Sequence, residues 1–358
     1  ADFKELNDSQ VTEDIIVGSA DVKALYLSLD IGFTVEKVCE VFYASGVEVV
    51  GLNVEELGLY LSPNRCEEEL RNLGLLRFCP RRKTKRGRSP TITGCAVDEN
   101  RTKRFQPWLP PVEQPDKVTT RKMFTEAMKV VLLFIMKNHL YTFDNDIKLQ
   151  TEGGPIGLEL TGVLAQFFTV WWDRQMVKRL EESGVGLRVY RRYVDDINVV
   201  MNASAAGIRF QEGRFTQDEN FAQIEQNLKL DNRCMQLFQS IGNSIHPSIR
   251  LEVDCPSRHV DGKIPILDLK LWIERRRREG DDGQDRDMQF VLHEFYYKDV
   301  ASSSVINARS ALPWSCKRTI LTQEVLRILL NCSRELPWEV VVAHVNHMML
   351  RLQYSGYY

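Results

Sequence analysis

The sequence predicts an α+β protein, an antiparallel sheet flanked by helices and followed by a helical C-terminal region. Three observations predict it. Along residues 187–202, Leu187, Val189, Arg191 and Tyr193 alternate and Ile197, Val199 and Val200 resume a strand. Two strands therefore meet at a tip that carries Asp195 and Asp196, which reads as a β-hairpin. Residues 15–20, Ile-Ile-Val-Gly-Ser-Ala, form an apolar run of strand length closed by Asp21. Apolar residues at helical spacing fill residues 119–139, 160–182 and 217–240, and again 317–332 and 338–353.

With 358 residues, 43% hydrophobic and 27% charged, the chain can bury a sizeable core in two or three structural units. A net charge of −2 does not by itself announce a polyanionic partner, so the distribution of charge matters more than its sum. The eight cysteines include no Cys-x-x-Cys pair and no histidine at zinc-ligand spacing. They read as free thiols in a reducing compartment, with zinc in the 66–95 region as the lesser alternative. The longest apolar run, residues 130–136, is far short of a membrane span, and no signal-peptide pattern opens the chain. The expectation is an intracellular protein with no membrane partner. The first residues lead at once into the first strand, so the chain reads as a piece of a longer protein.

Taken in order, residues 1–14 read as a polar loop or frayed edge. After the strand closed by Asp21, residues 34–45 read as a helix with Val35, Val38, Cys39 and Phe42 on one face, and residues 54–61 as a second. Residues 65–118 form a basic, Pro-containing insertion. Arg81, Arg82, Lys83, Lys85 and Arg86 fall there in a stretch without acidic residues, either as a solvated loop or as salt-sensitive phosphate contacts. The helix at 119–139 places Met123, Ala127, Met128, Val131, Leu132 and Ile135 on its buried stripe. A turn near 141–146 leads to Gln150 and to Gly153-Gly154-Pro155-Ile156-Gly157, which opens the helix at 160–182. Val163, Leu164, Phe167, Trp171, Val177 and Leu180 share one side of that helix. Residues 203–216 read as a loop. Strands follow at 250–254, 265–273 and 291–297, with the arginines at 275–278 and the acidic run after them as a solvated hairpin tip. The organisation expected is 1–64, 65–118, 119–300 and 301–358.

Adjacent carboxylates at a hairpin tip are costly. At an effective dielectric near 20, two like charges about 4 Å apart repel by roughly 4 kcal/mol. A divalent cation removes that cost, and hard oxygen ligands suit magnesium. An ordinary Asp-rich turn is the plain alternative for the pair alone. Asp21 at a strand end, the Gly-Pro-x-Gly loop and the Tyr193-Val194-Asp195-Asp196 hairpin, in that order, make the plain alternative weaker.

This ordered set resembles the palm of a right-hand polymerase, and of a reverse transcriptase in particular. Gln150-x-x-Gly153-x-Pro155-x-Gly157, Arg192-Tyr193-Val194-Asp195-Asp196-Ile197, Ile264-Pro265-Ile266-Leu267-Asp268 and Phe295-Tyr296-Tyr297-Lys298 are together similar to the enzyme of Penelope-like retroelements, over most of residues 15–332. The resemblance implies a palm, with residues 1–64 carrying its first catalytic strand and 119–300 its remainder, followed by a helical thumb at 301–358. It implies RNA-directed DNA polymerase activity on an RNA template and a DNA primer with deoxynucleoside triphosphates, and a nuclear location in a eukaryotic host. It also implies two Mg2+ ions, with Mn2+ as the alternative, held by Asp21, Asp195 and Asp196, the last least directly. Tyr26 would stack under the incoming sugar. Gln150, Gly153, Gly154, Pro155, Gly157 and Tyr193 would contact nucleotide or template, and Lys298 and the basic insertion would contact nucleic acid.

The sequence departs from the family at Pro155-Ile156-Gly157, at Thr161-Gly162 where Ser-Pro is usual, and at Lys298-Asp299 where Lys-Pro is usual. The family's fingers motifs and its GIY-YIG endonuclease are not found in the sequence. Three alternatives stand beside this reading. They are a domesticated or truncated nucleic-acid binder without polymerase activity, an RNA-directed RNA polymerase palm, and a metal-binding α/β scaffold. Tyr26 argues against the second, where an acidic residue near that place would engage the 2′-hydroxyl.

Overall fold

The computed structural model describes residues 2–9, 11, 13–45, 117–217, 229–279, 285–298 and 305–357. The basic cluster at 81–86 and the helix expected at 54–61 lie outside the described residues. In chain order the elements are α1 (Asp2–Asp8), β1 (Ile15–Val22), α2 (Leu25–Ser28), α3 (Ile31–Ala44), α4 (Lys117–Lys137), β2 (Leu140–Phe143), β3 (Asp146–Leu149), α5 (Glu159–Glu182), β4 (Leu187–Tyr193), β5 (Asp196–Asn202), β6 (Ile208–Gln211), β7 (Arg214–Gln217), α6 (Leu230–Ile245), β8 (Leu251–Asp254), β9 (Ile264–Ile266), β10 (Leu269–Glu279), β11 (Asp285–Phe295), α7 (Trp314–Leu330) and α8 (Trp338–Tyr354). The class is α+β with antiparallel pairing throughout the described strands. No helix of the described residues is long and apolar enough to cross a membrane. The chain divides into two units, residues 1–28 with 169–358, and residues 29–168.

The first unit is organised on β1, which lies inside a four-stranded sheet of order β4-β5-β1-β8. Alternate residues of a strand face opposite sides. On one side Ile15 and Val17, with Val200 of β5 and Val189 of β4, pack against Ile264, Ile266, Leu271 and Val291 of a second sheet, ordered β11-β10-β9. Further along the same side the alternation reaches Ser19 and Asp21 on β1 and Asn198 and Asp196 on β5. One face is thus dry core at one end and polar at the other. On the opposite side Gly18 lies under α6, where a Cβ would fall 2.1 Å from the Met235 sulfur. Small size at Gly18 and Gly242 is a packing requirement, since a Cβ at Gly242 would meet Leu251 at 2.5 Å and Trp172 at 3.0 Å.

Residues 2–8 are helical, not the frayed loop the polar composition predicts. Phe3 and Leu6 pack on the inter-sheet core. Asn7 bonds the Val291 backbone twice, donating from Nδ2 at 3.1 Å and accepting at Oδ1 at 2.9 Å, as a neighbouring strand would. Residues 203–217 also differ from the expected loop. A short 3-10 turn, Ala203–Gly207, leads into the β6–β7 hairpin, whose tip residues Glu212 and Gly213 both have positive φ. The run expected as one strand at 265–273 is broken at Leu267 and Asp268 into β9 and β10. The arginines expected in a solvated tip continue β10, which pairs with β11 out to Glu279 and Asp285.

In the second unit Asp30 caps α3 by accepting from the Phe33 N–H at 2.9 Å. Ile31, Thr34, Val35 and Cys39 are its buried face. Cys39 donates to the Thr125 carbonyl of α4 at 3.8 Å, and Phe42 lies 5.5 Å from Phe124. The stripe expected on α4 is displaced: Val131 and Ile135 are exposed while Met136 is buried. β2 and β3 form a hairpin through Asp144 and Asn145, both at positive φ, where the sequence predicts only a turn. On α5, which runs from this unit into the first, the buried ridge is Leu164, Phe168, Trp172, Met176 and Leu180, four residues apart. Val163 and Phe167, expected on that side, are exposed. The five described cysteines are free thiols, four of them buried, and burial pushes Cys234 up to about 12.

Candidate active site at the polar end of the central sheet

The hairpin of β4 and β5 closes through Val194 and Asp195, with Tyr193 and Asp196 as the flanking pair. Val194 has φ +58. A β-branched residue in the left-handed region is strained, by about 1–3 kcal/mol. A two-residue hairpin loop usually meets this need with glycine. The tip is braced from behind. Arg192 donates from Nε to both Asp173 oxygens at 3.1 and 2.9 Å and from Nη1 to the Val194 carbonyl at 2.8 Å. The Tyr190 hydroxyl donates to Asp173 at 2.7 Å. Burial, then the Asp173 charge, pushes the Tyr190 hydroxyl far up, so it stays a donor.

This bracing brings the hairpin to the end of β1. Asp21 is the register partner of Asp196, and the Val22 N–H donates to the Asp195 carbonyl at 3.1 Å. The Asp21 carboxyl is held above the usual carboxylate range, by burial first and then by the charges of Asp195, Asp196 and Glu252, with Lys23 opposing. Asp196 is raised as well, by burial and then by Asp195, with Lys298 opposing. Asp195 and Asp196 thus both act on the Asp21 carboxyl, and Asp195 acts on Asp196. Glu252, across from Asp21 on β8, carries no signal in the sequence that marks it for the site. It forms an ion pair with Lys23.

Beside Asp196 opens a cleft of about 370 Å³ lined by Ser19, Asp196, Pro265, Ile266, Leu267, Tyr296 and Lys298. Its wall is the tip between β9 and β10, where Leu267 has φ +53, a second branched apolar residue in the left-handed region. The buried Oδ1 of Asn198, the register partner of Ser19, has no hydrogen-bond donor among the described residues. A bare acceptor there invites a water or ligand group.

Asp21, Asp195, Asp196 and Lys298 are thus brought together. Tyr193 flanks the tip and is exposed, and Tyr26 lies half-buried on α2. Gln150, Gly153, Gly154, Pro155 and Gly157 belong to the second unit. There Gln150 Nε2 donates to the Glu152 carbonyl at 2.9 Å, and Thr161 donates to the Pro155 carbonyl at 2.7 Å. Gly153 and Gly157 take φ +68 and +95, so the loop needs glycine at both. Arg81, Arg82, Lys83, Lys85 and Arg86 lie outside the described residues.

The donor set is hard oxygen, which fits Mg2+ or Mn2+. Among the described residues no three His, Cys, Asp or Glu side chains converge tightly enough to cage an ion unaided. Magnesium is commonly held by one or two carboxylates with substrate phosphates completing its shell, so an open carboxylate set fits it. No protein-family model matches the chain, and no curated protein matches it in sequence.

Proposed function

We propose that the chain is the palm and thumb of an RNA-directed DNA polymerase of the Penelope-like type. The observation that supports it best is the pairing of Asp21 with Asp196 on neighbouring strands, with Asp195 at a strained, braced tip beside a basic-edged cleft. Phosphoryl transfer asks a protein mainly for positioning and charge neutralisation. Asp21, Asp195 and Asp196 would hold two divalent cations. When bound, these would lower the pKa of the attacking 3′-hydroxyl and offset charge on the triphosphate. The mutual repulsion of the carboxylates is the driving force for taking up that charge.

The cleft beside Asp196 would receive the primer end. Its apolar wall of Pro265, Ile266 and Leu267 excludes water from one side of a sugar, and Lys298 offers a cation to a phosphate. Tyr26, on α2 shortly after Asp21, would lie under the incoming sugar. Deoxynucleoside triphosphates, an RNA template and a DNA primer are the partners this reading requires.

The test is primer extension on poly-rA/oligo-dT with Mg2+ and dTTP, comparing the chain with Asp195→Ala. Extension that disappears in the variant supports the reading. Steeply salt-dependent duplex binding with no extension by either protein, also from a chain extended upstream, moves the assignment to a nucleic-acid binder without polymerase activity.

A further inference from the structure

Arg327 ties the wall of the cleft to the C-terminal helices. Arg327 of α7 donates from Nε to Asp268 Oδ2 at 3.1 Å, and its Nη2 reaches the same oxygen. Its Nη1 donates to Glu324 at 3.2 Å, and the guanidinium lies 5.4 Å from the Phe295 ring centroid. Asp268 is the second residue of the two-residue tip between β9 and β10, directly after the strained Leu267. Its carbonyl accepts from the Tyr296 N–H at 2.7 Å. Leu267 and Tyr296 both line the cleft beside Asp196.

α7 and α8 are anchored on the same strand end. Phe295 packs with Ile328, Cys332, Val341 and Met348. A shift of α7 therefore moves Arg327, and through Asp268 it moves the tip and the cleft wall together. The side chains of the pair are 41% and 43% exposed, so the link adds little to stability and responds to salt. That combination suits a coupling contact better than a structural one.

We infer that Arg327 is a positioning residue: with Asp268 it latches the helical region to the wall of the cleft, so that duplex held by α7 and α8 sets the shape of the primer-end site. The inference rests on the polymerase reading above.

The experiment compares the wild-type chain with Arg327→Ala, Asp268→Asn and the exchanged pair Arg327→Asp/Asp268→Arg. Nucleotides added per binding event are counted on poly-rA/oligo-dT with excess unlabelled duplex as trap. Duplex affinity is read in parallel by fluorescence anisotropy. Each single variant is expected to shorten the run and raise the KM for duplex by up to about fivefold, the ratio a half-exposed ion pair can carry. The KM for dTTP and the melting temperature stay at wild-type values, and the exchanged pair recovers at least half of the loss. Wild-type run length and duplex affinity in both single variants, or an exchanged pair no better than the singles, would overturn the latch alone. A wild-type chain that neither extends nor binds duplex would overturn the polymerase reading and the latch with it. In a chain that binds without extending, the affinities decide: weaker binding in both single variants, recovered by the exchange, supports the latch, and unchanged binding overturns it.

Discussion

Replacing Arg192 by leucine tests the view that the Asp195-Asp196 hairpin is held in place from behind. Arg192 and Asp173 are 11% and 20% exposed, and the guanidinium spends its donors on Asp173 and on the Val194 carbonyl. Leucine fills most of the space and removes every one of those bonds. Asp173 then keeps the Tyr190 hydroxyl, at 2.7 Å, and loses its counter-charge. Breaking one partner of a buried pair costs about 3–5 kcal/mol, and residual water contact argues for the lower end. A loss of about 3 kcal/mol lowers the melting temperature of a unit of this size by roughly 6–12 °C. The double variant Arg192→Leu/Asp173→Leu leaves no stranded charge and is expected to be milder than Arg192→Leu alone, because removing both partners is often near neutral. Thermal melts of the wild type, Arg192→Leu, Asp173→Leu and the double variant give the coupling energy directly. Extension at 25 °C should fall further than stability does, since the Val194 carbonyl loses its restraint while the chain stays folded. A single variant within about 1 kcal/mol of wild type, or strictly additive effects, would refute the bracing.

Asp21 and Asp196 hold their protons more tightly folded than unfolded, so ionising them at neutral pH opposes folding. Asp196→Asn should therefore raise the melting temperature without divalent cations, and Mg2+ should stabilise the wild-type protein more than the variant; a lower melting temperature in the variant would contradict this. Gly18→Val places carbon where the Met235 sulfur lies 2.1 Å away, and should cost about 2 kcal/mol, partly restored by Met235→Ala. Burial pushes the His293 imidazole below 6.5, so the unfolded state binds the extra proton first. Its contribution is full above pH 6.5 and is lost as pH falls, so the melting temperature should drop more between pH 7.5 and 5.5 in the wild type than in His293→Gln.

The strands at β1, β4, β5 and β8 are legible in the sequence because each alternates or carries a plain apolar run. The carboxylates are legible because Asp21 and the Asp195-Asp196 pair close such strands. Other features depend on contacts that no local pattern reports. α1 is too short to be stable alone and exists because Phe3, Leu6 and Asn7 dock on β11 and the core. The break at Leu267 is hidden because an apolar branched residue occupies a position where glycine would have signalled a turn. The arginines of β10 read as a solvated tip, yet the strand extends because β11 pairs with it residue by residue. The tips at Asp144-Asn145 and Glu212-Gly213 do carry turn chemistry, and each hairpin is easily missed because its flanking strands are only four residues long. Asp173, Glu252 and Asn198 belong to the site by neighbourhood in space alone.

The position of β1 has a consequence for how this protein is made. The central strand leaves the ribosome well before both of its hydrogen-bonding neighbours, β5 and β8, which lie beyond residue 195. Until they arrive, Ile-Ile-Val-Gly-Ser-Ala presents two open edges and apolar side chains, the kind of segment that pairs with another copy of itself. Contacts this distant in sequence also form slowly. A chain interrupted between β1 and β5 should therefore accumulate as aggregate, while one that runs on through β11, whose sheet covers Ile15 and Val17, should remain soluble. The strand that carries Asp21 is thus also a segment in need of protection during synthesis.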